Sequence, residues 1–419
     1  MNGQTPHSCP GASMRASSRP PAYAGDIGIV GNGVIGKTAA LALAQAGLRV
    51  NLLMPYIAST PAGEQDGWDV RVYAVNQIAR DLLSSVKVWD ALDAERVATV
   101  EGMEVTGDAG HHPGRLSFDA YAAHVDALAW IVEDRHLNMA LDAALKFASN
   151  VHMVNGRAVS LVADAQGVDL QLDNGDILGA SLLIGADGAQ SWVRGQCDIG
   201  LDYRSYGQHA IVTNFACAKA HQGVAHQWFT ADEGIIALLP LPGQRVSLVW
   251  SAPHALAETL LHQPAAQLAQ HLEKYAGHTL GALMPLAPEQ VRGFPLTLVK
   301  PHAMIAARVA LIGDAAHVIH PLAGHGMNLG FADVVALLKV IGEREQWRDC
   351  GDARVLSRYA RARKEDVLLM QLATDGLARL FESNAEPVRF VRNAGLNLVN
   401  RLPVLKRRLI AHALGKQAC

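Results

Sequence analysis

The sequence predicts an α/β chain: a Rossmann-like nucleotide-binding domain, an antiparallel β-sheet domain inserted into it, and a helical C-terminal segment. Three observations predict this. A short apolar strand, a glycine-rich turn and a helix of good formers fill residues 26–47. A second strand, turn and helix fill residues 308–341. Between them, from residue 203 to about 300, apolar strands broken by Gly and Pro replace the alternation of strand and helix. The implied boundaries are 1–24 for an N-terminal extension, 25–200 and 301–385 for the two parts of the nucleotide-binding domain, 201–300 for the inserted sheet, and 386–419 for a basic helical tail.

Composition narrows the class. At 419 residues the chain can bury a large core, and half of it is hydrophobic. A net charge of only -3 lacks the dominant basic surface of a nucleic-acid binder. The five cysteines (Cys9, Cys197, Cys217, Cys350, Cys419) are scattered without a C-x-x-C pair, which argues against a disulfide framework or a cysteine metal site and for a reducing cytoplasm. Residues 1–24 are rich in Gly, Pro, Ser and Ala and lack the apolar core of a signal peptide, so a disordered extension is expected. No apolar run reaches the ~20 residues that span a bilayer. The expectation is a soluble cytoplasmic protein, or one peripheral to the inner face of the membrane.

The first unit reads DIGIV (Asp26 to Val30), then Gly31-Asn32-Gly33-Val34-Ile35-Gly36, then a helix ending at Gly47 and a second strand, Leu48 to Met54. Lying between strand and helix, G-x-G-x-x-G is the dinucleotide fingerprint: its glycines allow a tight turn, close approach of a pyrophosphate, and close helix–strand packing. The acid that hydrogen-bonds the adenosine ribose usually closes the second strand, and Met54 stands there instead. Glu64 or Asp66 could substitute from the next loop.

Arg71 precedes an amphipathic helix whose Leu82, Leu83, Val86 and Trp89 have core-facing spacing. Residues 100–124 read as β structure, with His111-His112 in a turn. Ala129 to Leu145 reads as a helix, and Val151 to Asp176 as a β-hairpin turning at Gly167 and Asn174-Gly175. Ser181 to Arg194 returns a buried strand that ends in Gly185-Ala186-Asp187-Gly188. In the inserted region one helix, roughly Ala255 to Tyr275, covers the sheet, and the strand Ile235 to Pro242 suits either an apolar pocket or sheet core.

The second unit, RVALIGDAAHVIHPLAGHGMNLGFAD from Arg308 to Asp333, places Gly313-Asp314 at a strand end. Pro321, Gly324 and Gly326 keep the following backbone irregular, and a helical apolar pattern starts at Met327. A bare backbone loop leading into a helix N-terminus offers unpaired N–H groups and a positive dipole end to a flat, partly anionic ligand. A long helix from Arg354 to Leu380 follows. From Pro387 onward there is no Asp or Glu, while Arg389, Arg392, Arg401, Lys406, Arg407, Arg408 and Lys416 sit among apolar residues. That composition fits an anionic membrane surface or a helix packed on the body with a solvated basic face.

The string "GDAAH..HPLAG.G.NLGF.D" closely resembles the Gly-Asp motif of flavin aromatic hydroxylases of the para-hydroxybenzoate hydroxylase type, and within them the ubiquinone-biosynthesis hydroxylases. His325 departs from it where glutamine is usual. "GADG" with Ser191 and Arg194 resembles the Asp-Gly motif, and residues 68–89 and 129–145 resemble two further segments of the family, with Glu133-Asp134 in place of Glu-Asn. The motifs stand in family order from about Asp26 to Gly415. The resemblance implies FAD as cofactor, held by Gly31, Gly33, Gly36, Arg71, Asp187, Gly188, Gly313, Asp314, Gly324, Gly326, Met327 and Asn328. It implies that Pro321 to Asn328 lies against the isoalloxazine ring, with Pro321, Gly326 and Asn328 at the catalytic centre and no metal.

The implied reaction is hydroxylation of the ring of a polyprenylated phenol by molecular oxygen through a C4a-hydroperoxyflavin, with NAD(P)H or another donor as reductant. The partners implied are that phenol, oxygen, a ubiquinone-biosynthesis complex, and a membrane surface met through the tail, but no nucleic acid. A small soluble phenol is an alternative substrate. Met54 motivates a second alternative, a flavin-poor structural member of the pathway complex.

Overall fold

The computed structural model describes residues 21–55, 67–107, 114–320 and 325–382, together with Asn393, Asn397 and Asn400. In chain order it opens with β1 (Tyr23–Ala24), β2 (Ile27–Val30), α1 (Val34–Gln45) and β3 (Val50–Met54). Ten of the twelve α1 residues are buried, as an all-round apolar helix requires. Next come β4 (Val72–Val75), α2 (Gln77–Ser85), β5 (Ala98–Val100), β6 (Gly102–Thr106), β7 (Arg115–Asp119), β8 (Ala129–Glu133) and α3 (Asp134–Phe147). The expected helix from Ala129 is therefore corrected: its first five residues are a strand. They pair antiparallel with β4 and β5, so the branched and aromatic run Trp130-Ile131-Val132 is buried between neighbours and only Asp134 onward turns helical.

The middle of the chain supplies β9 (Val151–Asn155), β10 (Ala158–Ala163), β11 (Val168–Leu172), β12 (Ile177–Ala180), β13 (Leu182–Gly185) and α4 (Trp192–Gln196). The antiparallel unit starts later than the sequence suggests. It is β10–β11–β12, with turns at Gly167 and Asn174-Gly175 as expected, while β9 pairs in parallel with β3.

Then follow β14 (Leu201–Cys217), β15 (Val224–Thr230), β16 (Gly234–Leu241), β17 (Arg245–Pro253), α5 (His254–His262), α6 (Ala265–Leu280), β18 (Leu283–Pro285) and β19 (Arg292–Pro301). Two helices replace the single one expected, since Pro264 cannot continue α5 and instead heads α6. The chain closes with β20 (Ile305–Ala306), β21 (Val309–Leu311), α7 (His325–Gly342) and α8 (Ala353–Glu382).

The nucleotide-type sheet has the order β20-β21-β13-β2-β3-β9, parallel throughout except β20. Its core joins Ile27, Ile29, Leu52 and Ile184 to Leu41 and Leu43 of α1, Leu137 and Leu141 of α3, and Phe331 and Leu337 of α7. The second large sheet has eight strands, β18-β14-β17-β16-β15-β6-β7 with β19 also on β14. This sheet also takes in β6 and β7, which precede residue 201, and β6 joins β15 in parallel.

Side chains alternate across that sheet. Ile211, Phe215, Ile236, Leu238, Leu248 and Trp250 pack under α5 and α6, leaving Val212, Asn214, Ala237, Leu239, Ser247 and Val249 on the other face. The edge strand β7 gives its Arg115 and Ser117 N–H groups to Asn397 Oδ1 (2.9 Å) and Asn400 Oδ1 (3.2 Å). Among the described residues no helix is long and apolar enough to cross a membrane.

Candidate functional site

The turn after β2 is built from backbone. Gly31 has φ +118°, and a Cβ there would lie 2.3 Å from Ala186 O; one on Gly36 would lie 2.1 Å from Gly31 O. These two glycines let the β2 turn, α1 and the Gly185–Gly188 segment close on one another. Gly33 differs. It caps α1 without a side-chain hydrogen bond, and a Cβ on it would meet nothing within 4 Å.

The turn after β21 is its counterpart. Gly313 has φ +60°, and Gly330 of α7 comes so close that a Cβ would lie 2.9 Å from Ile35. Between the two turns is a pocket lined by Gly33, Val34, Ile35, Arg71, Tyr73, Asp134, Asn138, Ala186, Gly188, Ile312, Gly313, Asp314, Gly326 and Met327.

Seven residues singled out by sequence thus meet at one recess: Gly33, Arg71, Gly188, Gly313, Asp314, Gly326 and Met327. Asp187 and Asn328 do not line it. Asp187 accepts Ser191 Oγ–H (2.5 Å) and Val193 N–H (3.0 Å), which fixes the start of α4. Asn328 binds Asn76 N–H and Ala74 O, which fixes the first turn of α7. Pro321 and Gly324 lie outside the described residues, as do Glu64, Asp66, His111 and His112.

The charges in the recess are few. The Arg71 guanidinium stacks over the Tyr73 ring (5.7 Å) and over Phe294 of β19 (5.9 Å), so it sits where the pocket meets the second sheet. The Asp314 side chain opens into the recess but lies deep in the fold. Poor hydration there is the main influence and raises its pKa, against the pull of His317 and Arg71.

Tyr73 and Asn138 also line the recess without having been singled out in the sequence, beside Asp134 of the Glu133-Asp134 pair, and Lys37 backs them. Tyr73 O–H donates to Asp134 Oδ1 (2.8 Å), Asn138 Nδ2 donates to the same oxygen (2.9 Å), and Lys37 Nζ donates to Asn138 Oδ1 (3.0 Å). Burial pushes the Tyr73 phenol well above its ordinary value. The i, i+4 spacing of Asp134 and Asn138 on one helix face was the available signal. Glu133 serves differently: 1% exposed, it takes both Arg96 Nε (2.8 Å) and Asp69 N–H (2.5 Å) and anchors the segment leading to Arg71.

The arrangement can hold an extended dinucleotide, with its diphosphate near Gly33 and Gly188 and a ring system toward Gly326 and the second sheet. The comparisons agree in kind. The profile of the FAD binding domain family matches residues 25–370. Ubiquinone hydroxylase UbiL of Rhodospirillum rubrum is 35% identical over 392 residues, 93% of this chain and 89% of that protein. The 3-demethoxyubiquinol 3-hydroxylase of Escherichia coli is 35% identical over 399 residues, 93% and 98% of the two chains. Ubiquinone biosynthesis monooxygenase COQ6 of Homo sapiens is 30% identical over 461 residues, 97% and 96%. Among solved structures, PqsL of Pseudomonas aeruginosa, a probable FAD-dependent monooxygenase, superposes with a TM-score of 0.72 at 22% identity, covering 89% of this chain and 100% of that one, a likeness of fold.

Proposed function

The chain belongs to the FAD binding domain family, among the ubiquinone-biosynthesis hydroxylases, and from that premise we propose that it is an FAD-dependent monooxygenase that hydroxylates the ring of a polyprenylated phenol. The residues present fit the cofactor. A Cβ on Gly33, Gly188 or Gly326 would meet nothing within 4 Å although all three line the pocket, so open space lies directly over bare backbone. The uncapped start of α1 at Gly33 leaves donors for a diphosphate. In this reading Arg71 approaches the region of the ring system and pyrophosphate, Asp314 hydrogen-bonds the ribityl chain, and Gly326 and Met327 face the polar edge of the ring system. Gly31 and Gly36 shape the turn, while Asp187 and Asn328 hold Gly188 and α7 in place. Pro321 and Gly324 belong to the same proposal.

When bound, FAD supplies the activation of molecular oxygen and the delivery of one oxygen atom, after reduction by NAD(P)H or another donor. The chain supplies the surroundings. Donors at the start of α7 favour negative charge at the ring's polar edge. The sheet face carrying Val212, Ala237, Leu239 and Val249 excludes water and suits a prenyl chain. On that face Asn214 Oδ1 and Ser247 Oγ are buried and find no hydrogen-bond partner among the described residues, and the amide is oriented by Asn214 Nδ2 donating to Asp69 O at 2.9 Å.

The observation that carries this reading is Arg71 stacked between Tyr73 and Phe294, which brings the bare-backbone recess against the apolar sheet. The test is incubation of FAD-loaded protein with NAD(P)H and a short-chain prenylated phenol. The expected product is the phenol with one more oxygen atom, formed in step with oxidation of the donor. Hydrogen peroxide as the sole product with every phenol would refute the reading, and equal turnover of tail-free phenols would move it to small soluble substrates. Peripheral membrane contact through the basic tail and association with other pathway proteins belong to the same proposal. Liposome binding should be lost on truncation at Pro387, and a folded truncation that still binds would dismiss the membrane role.

A further inference from the structure

Asp333 is the only acid in α7, an otherwise largely apolar helix, and it is 0% exposed. A buried carboxylate persists only when paired and hydrogen-bonded. Its Oδ1 accepts Arg363 Nε of α8 at 2.7 Å. Its Oδ2 accepts His317 Nε2 at 2.7 Å and the Gly313 N–H at 2.9 Å. One turn earlier on α8, Tyr359 O–H donates to Leu311 O at 2.8 Å. Helix α8 therefore grips the chain on both sides of the point where it leaves the sheet, immediately before Asp314 enters the pocket.

We propose that Arg363, which does not line the pocket, is a positioning residue for the cofactor, acting through Asp333 on the Gly313–Asp314 turn. The proposal rests on the flavin reading above. Its physical content is an ionised acceptor held in place for the Gly313 N–H. The Arg363 fork is fully engaged, with Nη1 on Asp366 Oδ2 (2.9 Å) and Nη2 on Leu329 O (3.3 Å), so it holds Asp333 in one geometry.

The groups facing Asp333 are His317 and Asp314 from the segment after β21, and Arg363, Tyr359 and Asp366 from α8; Arg71 faces Asp314 across the recess. Burial is the largest influence and works to raise the Asp333 pKa; His317 and Arg363 outweigh it and hold the carboxyl below the ordinary range. The wild-type acceptor thus stays charged through neutral pH. With Arg363 gone, only His317 and the Gly313 N–H are left to oppose burial, so the Asp333 carboxyl shifts upward and binding becomes more sensitive to acid.

The experiment is FAD titration of the purified chain by flavin fluorescence at pH 8 and pH 6, for wild type, Arg363→Met and Arg363→Lys, beside the thermal midpoint of each apoprotein. Arg363→Met should bind FAD about tenfold more weakly at pH 8. The deficit should widen at pH 6, where wild type is unchanged. A purely structural role would lower the thermal midpoint and leave the pH 8 to pH 6 ratio as in wild type, which would overturn the proposal. Should the Met variant not fold, Arg363→Lys decides. It keeps the charge and loses the fork, so weaker FAD binding at an unchanged apoprotein thermal midpoint is expected; wild-type affinity, or binding that falls only in step with a lowered midpoint, would overturn the clamp. Wild-type protein that binds no FAD would refute the flavin reading itself, a result distinct from normal binding by both variants.

Discussion

Asn76 and Asn328, 252 residues apart, lock two helix starts together: the Asn76 N–H donates to Asn328 Oδ1 at 3.0 Å, while Asn76 Oδ1 caps α2 by accepting the Ala79 N–H at 3.0 Å. Asn328 Nδ2 also donates to Ala74 O at 2.8 Å. Replacing Asn328 by Ala removes partners from backbone groups in a buried setting, at about 1–3 kcal/mol for each group left unsatisfied. Thermal unfolding should show a clear loss of stability, and FAD retention should fall with it. An unchanged midpoint would mean that water replaces the amide.

The fingerprint glycines should separate by mutation. Gly36→Ala drives a methyl into Gly31 O and should destabilise the apoprotein. Gly33→Ala meets nothing in the protein and should leave the apoprotein melting as before, while FAD affinity drops because the methyl occupies the ligand's space. Calorimetry of both apoproteins and FAD titration distinguish the cases, and equal effects would contradict the division of roles.

Met54→Glu tests the ribose site. Met54 ends β3 half-buried, its carbonyl taken by the Gly156 N–H at 2.9 Å, so the backbone is set while the side chain offers no acceptor for a ribose hydroxyl. A carboxylate there should add charged hydrogen bonds of about 1.5–3 kcal/mol, roughly one to two decades in FAD affinity. An unchanged dissociation constant would indicate that another group already binds the ribose.

His320 gives a pH prediction. It is 0% exposed, Nε2 lies 3.0 Å from Gln208 Oε1, and burial lowers its pKa from 6.5 to about 4. A proton taken up by the unfolded chain near 6.5 is refused by the folded one. The stabilisation is therefore complete above about pH 6.5 and is lost as the pH falls toward 4, with a total on the order of 3 kcal/mol. Denaturant unfolding of wild type and His320→Gln should show a stability difference that shrinks across that window. A constant difference would place the titration elsewhere.

The features visible in sequence were those that depend on neighbours along the chain. Gly31 and Gly33 fall between strand and helix, Gly36 in the first turn of α1, and Gly313 just past a strand end, so spacing alone marks them. What spacing could not supply was partnership. Ala129 to Glu133 reads as helix until β4 and β5 are found on either side of it, and Val151 to Asn155 reads as hairpin until β3 claims it. Pro264, by contrast, was a local signal for two helices where one was expected. In the site, Tyr73 with Asp134, and Asp333 with Arg363, are contacts between distant segments whose individual residues look ordinary.

The parallel pairing of β6 with β15 has a consequence for biosynthesis. A ribosome delivers β6 and β7 more than a hundred residues before β15, and β21 later still, so neither large sheet can be completed until most of the chain has emerged. Up to that point β6 has only its hairpin partner, and the β13 edge that β21 will occupy is open. The N-terminal half is then a nascent chain with unpaired apolar strands, the kind of species that aggregates or recruits chaperones. Its yield should therefore respond to synthesis rate and holdase supply.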